Sequence, residues 1–173
     1  GGVHYWVVYY NKKIFDEHQL KEPTTWEEFI ALCDTLKSKG ITPLGLTVTD
    51  FWPGFIWFED LAIGMHPEFY EKLVIGQAKY TDPEAVEIME LWKSMIDKGY
   101  FSQPLDFNNE VAPAMMNGEF AMYLKGTWYT TFFEAVGMKA GEDYSAFILP
   151  SVNPANGYTV ISEVTPFLVS EHS

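Results

Sequence analysis

The stretch His4-Tyr5-Trp6-Val7-Val8-Tyr9-Tyr10-Asn11-Lys12-Lys13-Ile14-Phe15 joins a strand to a helix and decides the class of fold. Its first seven residues are mostly β-branched or aromatic, which is typical of a buried strand. The polar Asn11-Lys12-Lys13 then begins a short helix that runs toward His18. A strand that passes directly into a helix is typical of domains in which a sheet carries helices on its faces.

Strands and helices alternate along the rest of the chain. Four further strands are predicted at residues 44–48, 120–124, 146–149 and 164–169. Between them lie segments with helical spacing of apolar residues, bounded by Gly, Pro and Asn. This alternation predicts a layered α/β domain.

Two helix starts are marked by local sequence. Thr25 and Glu28 have the spacing of a capping box, in which each side chain accepts a hydrogen bond from the backbone N–H of the other residue. Asp82-Pro83 has the N-cap and first-turn residues that begin a helix. The second helix is expected to turn one apolar side inward, formed by Val86, Met89, Trp92 (or Leu91) and Ile96.

Composition and charge exclude several classes of partner. The 173 residues contain 11 lysines, no arginine and 24 acidic residues, which gives a formal charge of −13. Nucleic-acid binding needs clustered basic side chains, and an anionic membrane surface would repel this chain. The single cysteine, Cys33, cannot form a disulfide within the chain. The histidines lack the spacing of a metal site, so neither a metal nor a cofactor is expected.

Three stretches resemble a known family of proteins. They are Tyr9-Tyr10-Asn11-Lys12-Lys13-Ile14-Phe15 with the following Thr25-Trp26-Glu27-Glu28-Phe29, Tyr80-Thr81-Asp82-Pro83-Glu84-Ala85-Val86, and Asn117-Gly118-Glu119-Phe120-Ala121-Met122-Tyr123 with Gly126-Thr127-Trp128. In this order and spacing they resemble family 1 of the bacterial extracellular solute-binding proteins, the maltose-binding-protein-like sugar receptors of ABC importers. The resemblance extends over essentially the whole chain.

The resemblance implies a fold and a domain organisation. Residues 1–173 would form a single α/β lobe of the type II solute-binding protein fold, a periplasmic-binding-protein-like lobe with a mixed β-sheet flanked by helices. This lobe would be the C-terminal one, with an N-terminal lobe before it and a C-terminal helical segment after it, both outside this chain. The family is extracytoplasmic, either in the periplasm or as a cell-surface lipoprotein of a Gram-positive bacterium.

The resemblance also implies a function. The chain would be part of the non-enzymatic substrate-binding component of an ABC-type carbohydrate importer, a monomer whose partners are a mono- or oligosaccharide and the membrane permease subunits. Three alternatives stay open. They are a glycosidase module with a carboxylate pair such as Asp50 and Glu163, a receptor for a non-sugar solute, and a structural or protein-binding domain in which Trp52 and Trp128 are buried.

Aromatic side chains are the first candidates for ligand contact, because sugars present apolar C–H faces on which rings stack. Trp128 follows a strand and Gly126 at the start of a helix, and in the resemblance it falls on the stacking tryptophan of the family. Trp52 lies in a loop between a strand and a helix, where binding residues concentrate. The family places an aromatic stacker in this loop, and either Phe51 or Trp52 could take that role, with Trp52 favoured.

Three polar residues complete the set of candidates. Asp50 would either accept sugar hydroxyls or cap the following helix. His4 occupies a position where some relatives carry a sugar-contacting acidic residue, and here it would either contact ligand or be structural. Glu163 falls where many relatives have small residues, and its carboxylate would contact ligand or be a surface charge.

Overall fold

A computed structural model describes residues 2–49 and 52–164 of the chain. Its centre is a six-stranded sheet built around β1, the strand of the opening stretch. The strands are β1 (Val3–Asn11), β2 (Leu44–Leu46), β3 (Phe101–Pro104), β4 (Met122–Gly126), β5 (Tyr144–Phe147) and β6 (Ser162–Val164). Their order in the sheet is β3-β2-β4-β1-β5, and β6 pairs with the beginning of β1.

The sheet is mixed, as the resemblance implies. Strand β2 runs parallel to β3 and to β4, whereas β1 runs antiparallel to β4, β5 and β6. In the β1–β4 pair, Trp6 lies opposite Gly126 and Tyr10 lies opposite Met122. The carboxyl ends of the three parallel strands therefore meet at one edge of the sheet, beside the amino end of β1.

Seven α-helices connect these strands within the described residues. They are α1 (Lys12–Glu17), α2 (Trp26–Ser38), α3 (Phe55–Met65), α4 (Pro67–Val74), α5 (Pro83–Asp97), α6 (Val111–Met116) and α7 (Thr130–Ala135). Short 3-10 turns precede α3 and α7, at Trp52–Gly54 and Thr127–Tyr129. No helix of the described part of the chain is long and apolar enough to cross a membrane.

The core lies on both faces of the sheet, and the alternation of side chains along β1 divides it. Trp6, Val8 and Tyr10 pack with residues of α1 to α5 in the larger cluster. Tyr9 points the other way and packs with α6 and α7 in the smaller cluster. The predicted layered α/β arrangement is therefore confirmed, with helices covering both faces of one mixed sheet.

Of the two predicted helix starts, the cap at Thr25 is confirmed, whereas the Asp82 side chain does not cap its helix. The Thr25 hydroxyl accepts a hydrogen bond from the Glu28 backbone N–H, and the Glu28 carboxylate accepts one from the Thr24 backbone N–H, one residue before the expected position. Asp82 occupies the N-cap of α5, but its side chain accepts from the Lys79 backbone N–H and does not cap the helix.

The inward side predicted for α5 is wrong at Val86, Met89 and Ile96, whereas Trp92 and Leu91 are partly buried against the core. Val86, Met89 and Ile96 are about half exposed, and the buried positions are Ala85, Ile88 and Met95. The two stripes are adjacent on one helix, so a small rotation exchanges them. Helix α5 packs against α3, and its buried positions include the small Ala85.

Strand β4 begins about two residues later than predicted, and β5 begins about two residues earlier. Strand β3 was not predicted, because its short sequence Phe-Ser-Gln-Pro has no alternating apolar pattern. Most of the strand predicted at residues 164–169 lies outside the described residues, and Val164 ends β6.

Candidate functional site

Three strands deliver aromatic side chains to the same edge of the sheet. Trp52 follows β2, Phe107 follows β3 and Trp128 follows β4, and these three strands are parallel neighbours. The ring centroids of Trp52 and Trp128 are 5.9 Å apart, and those of Trp52 and Phe107 are 5.1 Å apart. Together with Lys125, which lies beside them, these residues form what we call the aromatic cluster.

Trp128 packs so closely on Gly126 that no side chain fits at position 126. A Cβ atom on Gly126 would lie 2.3 Å from Nε1 of Trp128 and 2.8 Å from the ring of Trp6. The indole of Trp128 therefore lies directly against the backbone of Gly126, half-buried in the described structure. Gly126 is held in turn by Tyr9, whose hydroxyl donates to the Gly126 carbonyl at 3.2 Å.

Trp52 is the more exposed of the two tryptophans. It begins the 3-10 turn before α3, and 38% of its surface is exposed. Its ring meets Trp128 at an interplanar angle of 39° and meets Phe107 edge to face at 84°. The exposure of Trp52 and the half-burial of Trp128 contradict the burial that a purely structural domain would require of them.

Lys125 supplies a cation to this group of rings. Its side chain is fully buried, and its Nζ lies 4.1 Å from the ring centroid of Trp52 and 4.8 Å from that of Phe107. The same nitrogen is 5.6 Å from the ring of Trp128. These distances are within the range of attraction between a cation and the face of an aromatic ring.

Hydrogen bonds hold the loops that carry the rings. The Thr49 hydroxyl donates to the Leu105 carbonyl at 3.3 Å, which links the loop after β2 to the loop after β3. The hydroxyl of the buried Tyr129 donates to the Phe107 carbonyl. Burial, more than the charge of Asp106, raises the pKa of Tyr129, so this phenol keeps its proton. These hydrogen bonds therefore link the segments after β2, β3 and β4 that carry the rings.

His4 and Glu163 lie together near this edge. They are register partners in the β1–β6 pair, with His4 half-buried and Glu163 exposed. The next residue of β1, Tyr5, donates its backbone N–H to the hydroxyl of Thr127, which places this end of β1 beside Trp128. Contact of either side chain with a ligand remains a prediction. Asp50 and Phe51 lie outside the described residues.

Two neighbouring acidic residues of α3, Glu59 and Asp60, have raised pKa values. The Glu59 carboxylate accepts a hydrogen bond from the Tyr70 hydroxyl at 2.9 Å, and burial, together with the nearby Glu163, raises its pKa. The neighbouring Asp60 is buried, and desolvation, more than the charge of Glu59, raises the pKa of Asp60 well above the usual range. Among the described residues, no His, Cys, Asp and Glu side chains form a group suited to a metal ion.

A cavity of about 610 Å³ lies beside the aromatic cluster, between α3, α4 and α5. Phe55 lines this cavity and also contacts Trp52, with ring centroids 6.1 Å apart. Its other walls include Phe58, Tyr80 and Trp92, together with Glu59. The cavity and the cluster are thus adjacent features that share one aromatic side chain.

Three members of this site were not singled out as candidates from the sequence. Phe107 follows a strand that was not predicted, and nothing in its local sequence separates it from other loop aromatics. Lys125 did carry a signal, since it is the one charged residue within the apolar run before Gly126. Gly126 stood out in the sequence only as the glycine before Trp128. Its packing role depends on the indole of Trp128, which lies against its backbone.

This fold and site are typical of the class of solute-binding proteins. The family model of the bacterial extracellular solute-binding proteins matches residues 2–173, and the chain belongs to this family. The family resemblance is therefore confirmed.

Similar sequences are proteins of transport systems. The chain is 28% identical over 148 residues to an uncharacterised ABC transporter extracellular-binding protein of Pyrococcus horikoshii, covering 84% of this chain and 34% of that protein. It is 30% identical over 155 residues to a probable sugar-binding periplasmic protein of Brucella suis, covering 84% of this chain and 35% of the relative. The chain therefore spans about a third of the length of these relatives.

Similar solved structures confirm the predicted type II fold. The bacterial solute receptor AcbH, described as having an exclusive preference for β-D-galactopyranose, superposes with a TM-score of 0.80 at 25% identity. The match covers 92% of this chain and 41% of AcbH. A chitin oligosaccharide binding protein superposes with a TM-score of 0.75, also at 25% identity.

Proposed function

We propose that this chain forms the C-terminal lobe of a non-enzymatic carbohydrate receptor of an ABC importer. The observation that carries the proposal is the Trp52–Trp128 pair at 5.9 Å, partly exposed and held at the carboxyl edge of parallel strands. Ligands of open α/β sheets bind at such edges. Relatives and structural neighbours described as sugar-binding proteins support a carbohydrate as the ligand.

The chemistry of the site suits a neutral, hydroxylated ligand. The indole rings offer apolar surface to the C–H faces of a sugar, and ring contacts of this kind dominate the energetics of small binding sites. His4, Glu163 and Asp50 are the polar candidates that would bind hydroxyl groups. A formal charge of −13 opposes the capture of an anion by this lobe.

Binding would take place between this lobe and a second lobe of the full-length protein. Closure of two lobes about a hinge surrounds the ligand and is the usual motion of such receptors. The isolated lobe supplies only part of the contacts, so its affinity for sugar is expected to be much weaker than that of the two-lobe receptor. The closed form would be presented to the permease subunits, outside the cytoplasm and by a monomeric receptor. In a Gram-positive bacterium, the proposed receptor would be attached to the cell surface as a lipoprotein.

Tryptophan fluorescence of the two-lobe receptor tests this function. Titration with mono- and oligosaccharides should change the emission, and Trp128→Ala and Trp52→Ala should each weaken binding by roughly tenfold or more, as loss of a central aromatic anchor does. Trp26→Phe is the matched control, because Trp26 is buried at the start of α2, outside the aromatic cluster. A receptor whose emission and heat of binding respond to no sugar in the panel would refute the proposal.

Absence of catalysis is tested in the same preparations. Incubation with chromogenic glycosides should release no chromophore beyond the level given by a Glu163→Gln variant. Turnover that is lost on Asp50→Asn or Glu163→Gln would instead establish the glycosidase alternative, which requires two carboxyl groups across the bond that is cleaved.

A further inference from the structure

Lys125 lies where a lysine is not expected in a protein interior. It is the fourth residue of β4, all of whose residues are buried, and its side chain has no exposed surface. Its Nζ lies over the ring of Trp52 at 4.1 Å, closer than to any other ring of the cluster. A lysine is rarely fully buried, because desolvation of the ammonium is costly.

The position of the ammonium constrains one face of the Trp52 indole. Trp52 belongs to a short turn and has 38% of its surface exposed. Its orientation depends on ring contacts with Phe55, Phe107 and Trp128 and on the ammonium above it. Attraction between a cation and a ring is strongest when the cation lies over the ring face, and tryptophan is the best partner for it. A desolvated cation strengthens the attraction further. We expect the ring face turned away from Lys125 to be the one that receives a ligand.

We propose that Lys125 is a positioning residue, whose ammonium holds the Trp52 indole at the angle to Trp128 at which both rings receive the same ligand. Lys125 has no exposed surface, so it acts through Trp52 and does not touch the ligand itself. This inference rests on the proposed function and adds a residue that determines the shape of the binding surface. It explains why a cation is buried in a site that suits neutral sugars.

The test compares Lys125→Met, which removes the charge at similar length, with Lys125→Arg, which keeps it. Lys98→Met is the matched control, because the Lys98 Nζ lies 5.5 Å from the ring of Tyr100, away from the aromatic cluster. The two-lobe receptor is labelled with 5-fluorotryptophan, and the Trp52 resonance is assigned through Trp52→Phe. Affinity for the best sugar of the panel is measured by calorimetry for each variant, alone and combined with Trp52→Leu.

Without ligand, Lys125→Met should move the fluorine resonance of Trp52 and leave those of Trp26 and Trp57 in place. Its affinity for sugar should fall by about tenfold, whereas Lys125→Arg should stay within about threefold of the wild type. In the Trp52→Leu background, Lys125→Met should cause no further loss, because its effect passes through that ring. Lys98→Met should bind as the wild type does.

An unchanged Trp52 resonance in Lys125→Met, or an equal loss of affinity in the presence and absence of Trp52, would overturn the proposal. General destabilisation is recognised by movement of the Trp26 and Trp57 resonances, and it too would count against a positioning role. Failure of the proposed function has a different signature, in which the wild-type receptor binds no sugar. The ligand-free fluorine spectra then still decide whether Lys125 positions Trp52.

Discussion

Gly126 and Trp128 are packed so closely that the indole ring occupies the space of a side chain at position 126. A Cβ atom there would lie 2.3 Å from the indole nitrogen, far inside any normal contact. The backbone of Gly126 has φ −66° and ψ 148°, a conformation that any residue adopts. Glycine is therefore required at this position by the ring and not by the backbone.

The first prediction concerns the substitution Gly126→Ala. The added methyl group must displace Trp128 or Trp6, and overpacking of this kind costs about 1–3 kcal/mol of stability. Because the ring of Trp128 moves, the affinity of the two-lobe receptor for sugar should fall by roughly tenfold or more. Calorimetric titration and urea denaturation measure the two effects.

Gly54→Ala is the matched control for this prediction. Gly54 also has a negative φ, −65°, and among the described residues a Cβ atom there would meet only Val48, at an ordinary 3.5 Å. This variant should keep both affinity and stability. If Gly126→Ala binds sugar as tightly as Gly54→Ala does, the ring of Trp128 does not contribute to binding in the manner proposed.

The second prediction concerns the hydroxyl of Tyr129. Tyr129→Phe leaves the Phe107 carbonyl without its donor, which should cost about 1–2 kcal/mol of unfolding free energy and loosen the loop after β3. Hydrogen exchange of the amides near Phe107 should become faster. Tyr144→Phe is the control, since the buried Tyr144 hydroxyl has no hydrogen-bond partner among the described residues. Equal losses in the two variants would contradict a specific role for the Tyr129 hydrogen bond.

The third prediction concerns pH and Asp60. Burial raises the pKa of Asp60, so the folded state holds a proton that the unfolded chain releases near pH 4. Stability contributed by this group is therefore present at acid pH and is lost as pH rises through the raised pKa. Asp60→Asn mimics the protonated form and should gain stability relative to the wild type as pH rises.

Urea denaturation between about pH 4 and about pH 8 measures this difference. Near pH 4 the two proteins should have similar unfolding free energies, and the gap should widen toward neutral pH. The exposed Glu90→Gln on α5 should show no such widening. A gap between Asp60→Asn and the wild type that stays constant across this range would show that Asp60 is ionised in the folded protein throughout.

The fourth prediction concerns the start of α2. Thr25→Ala removes the hydroxyl that accepts the Glu28 N–H at 3.2 Å and should lower the unfolding free energy by about 1 kcal/mol. Thr25→Ser keeps the oxygen and should restore most of that loss. Thr25 is not a member of the aromatic cluster, so sugar affinity should not change. A Thr25→Ser variant as unstable as Thr25→Ala would mean that the methyl group, and not the cap, is responsible.

Much of the fold could be predicted because its signals are local. The capping residue Thr25, the strand before Asn11 and the strand before Gly126 follow from neighbours within a few residues. The buried side of α5 could not be predicted in the same way, because two adjacent stripes of the helix are both apolar. The choice between them depends on packing against other elements such as α3, which the sequence of α5 alone does not encode.

The candidate site shows the same division. Trp52 and Trp128 could be singled out from their places after strands, and the structure brings them together. Phe107 could not, because the strand that delivers it has no alternating pattern. The role of Lys125 also could not be foreseen, since it depends on the ring of a residue far away along the chain.

The sequence by itself determined the types and approximate limits of most elements, the family and the two tryptophans, because periodicity, caps and motifs are properties of short segments. Only the tertiary structure decided that Trp52, Phe107 and Trp128 surround one buried ammonium. Those side chains follow β2, β3 and β4, and they meet because these strands are parallel neighbours in the sheet. Neighbour relations among strands arise from packing of the whole chain, which no single segment encodes.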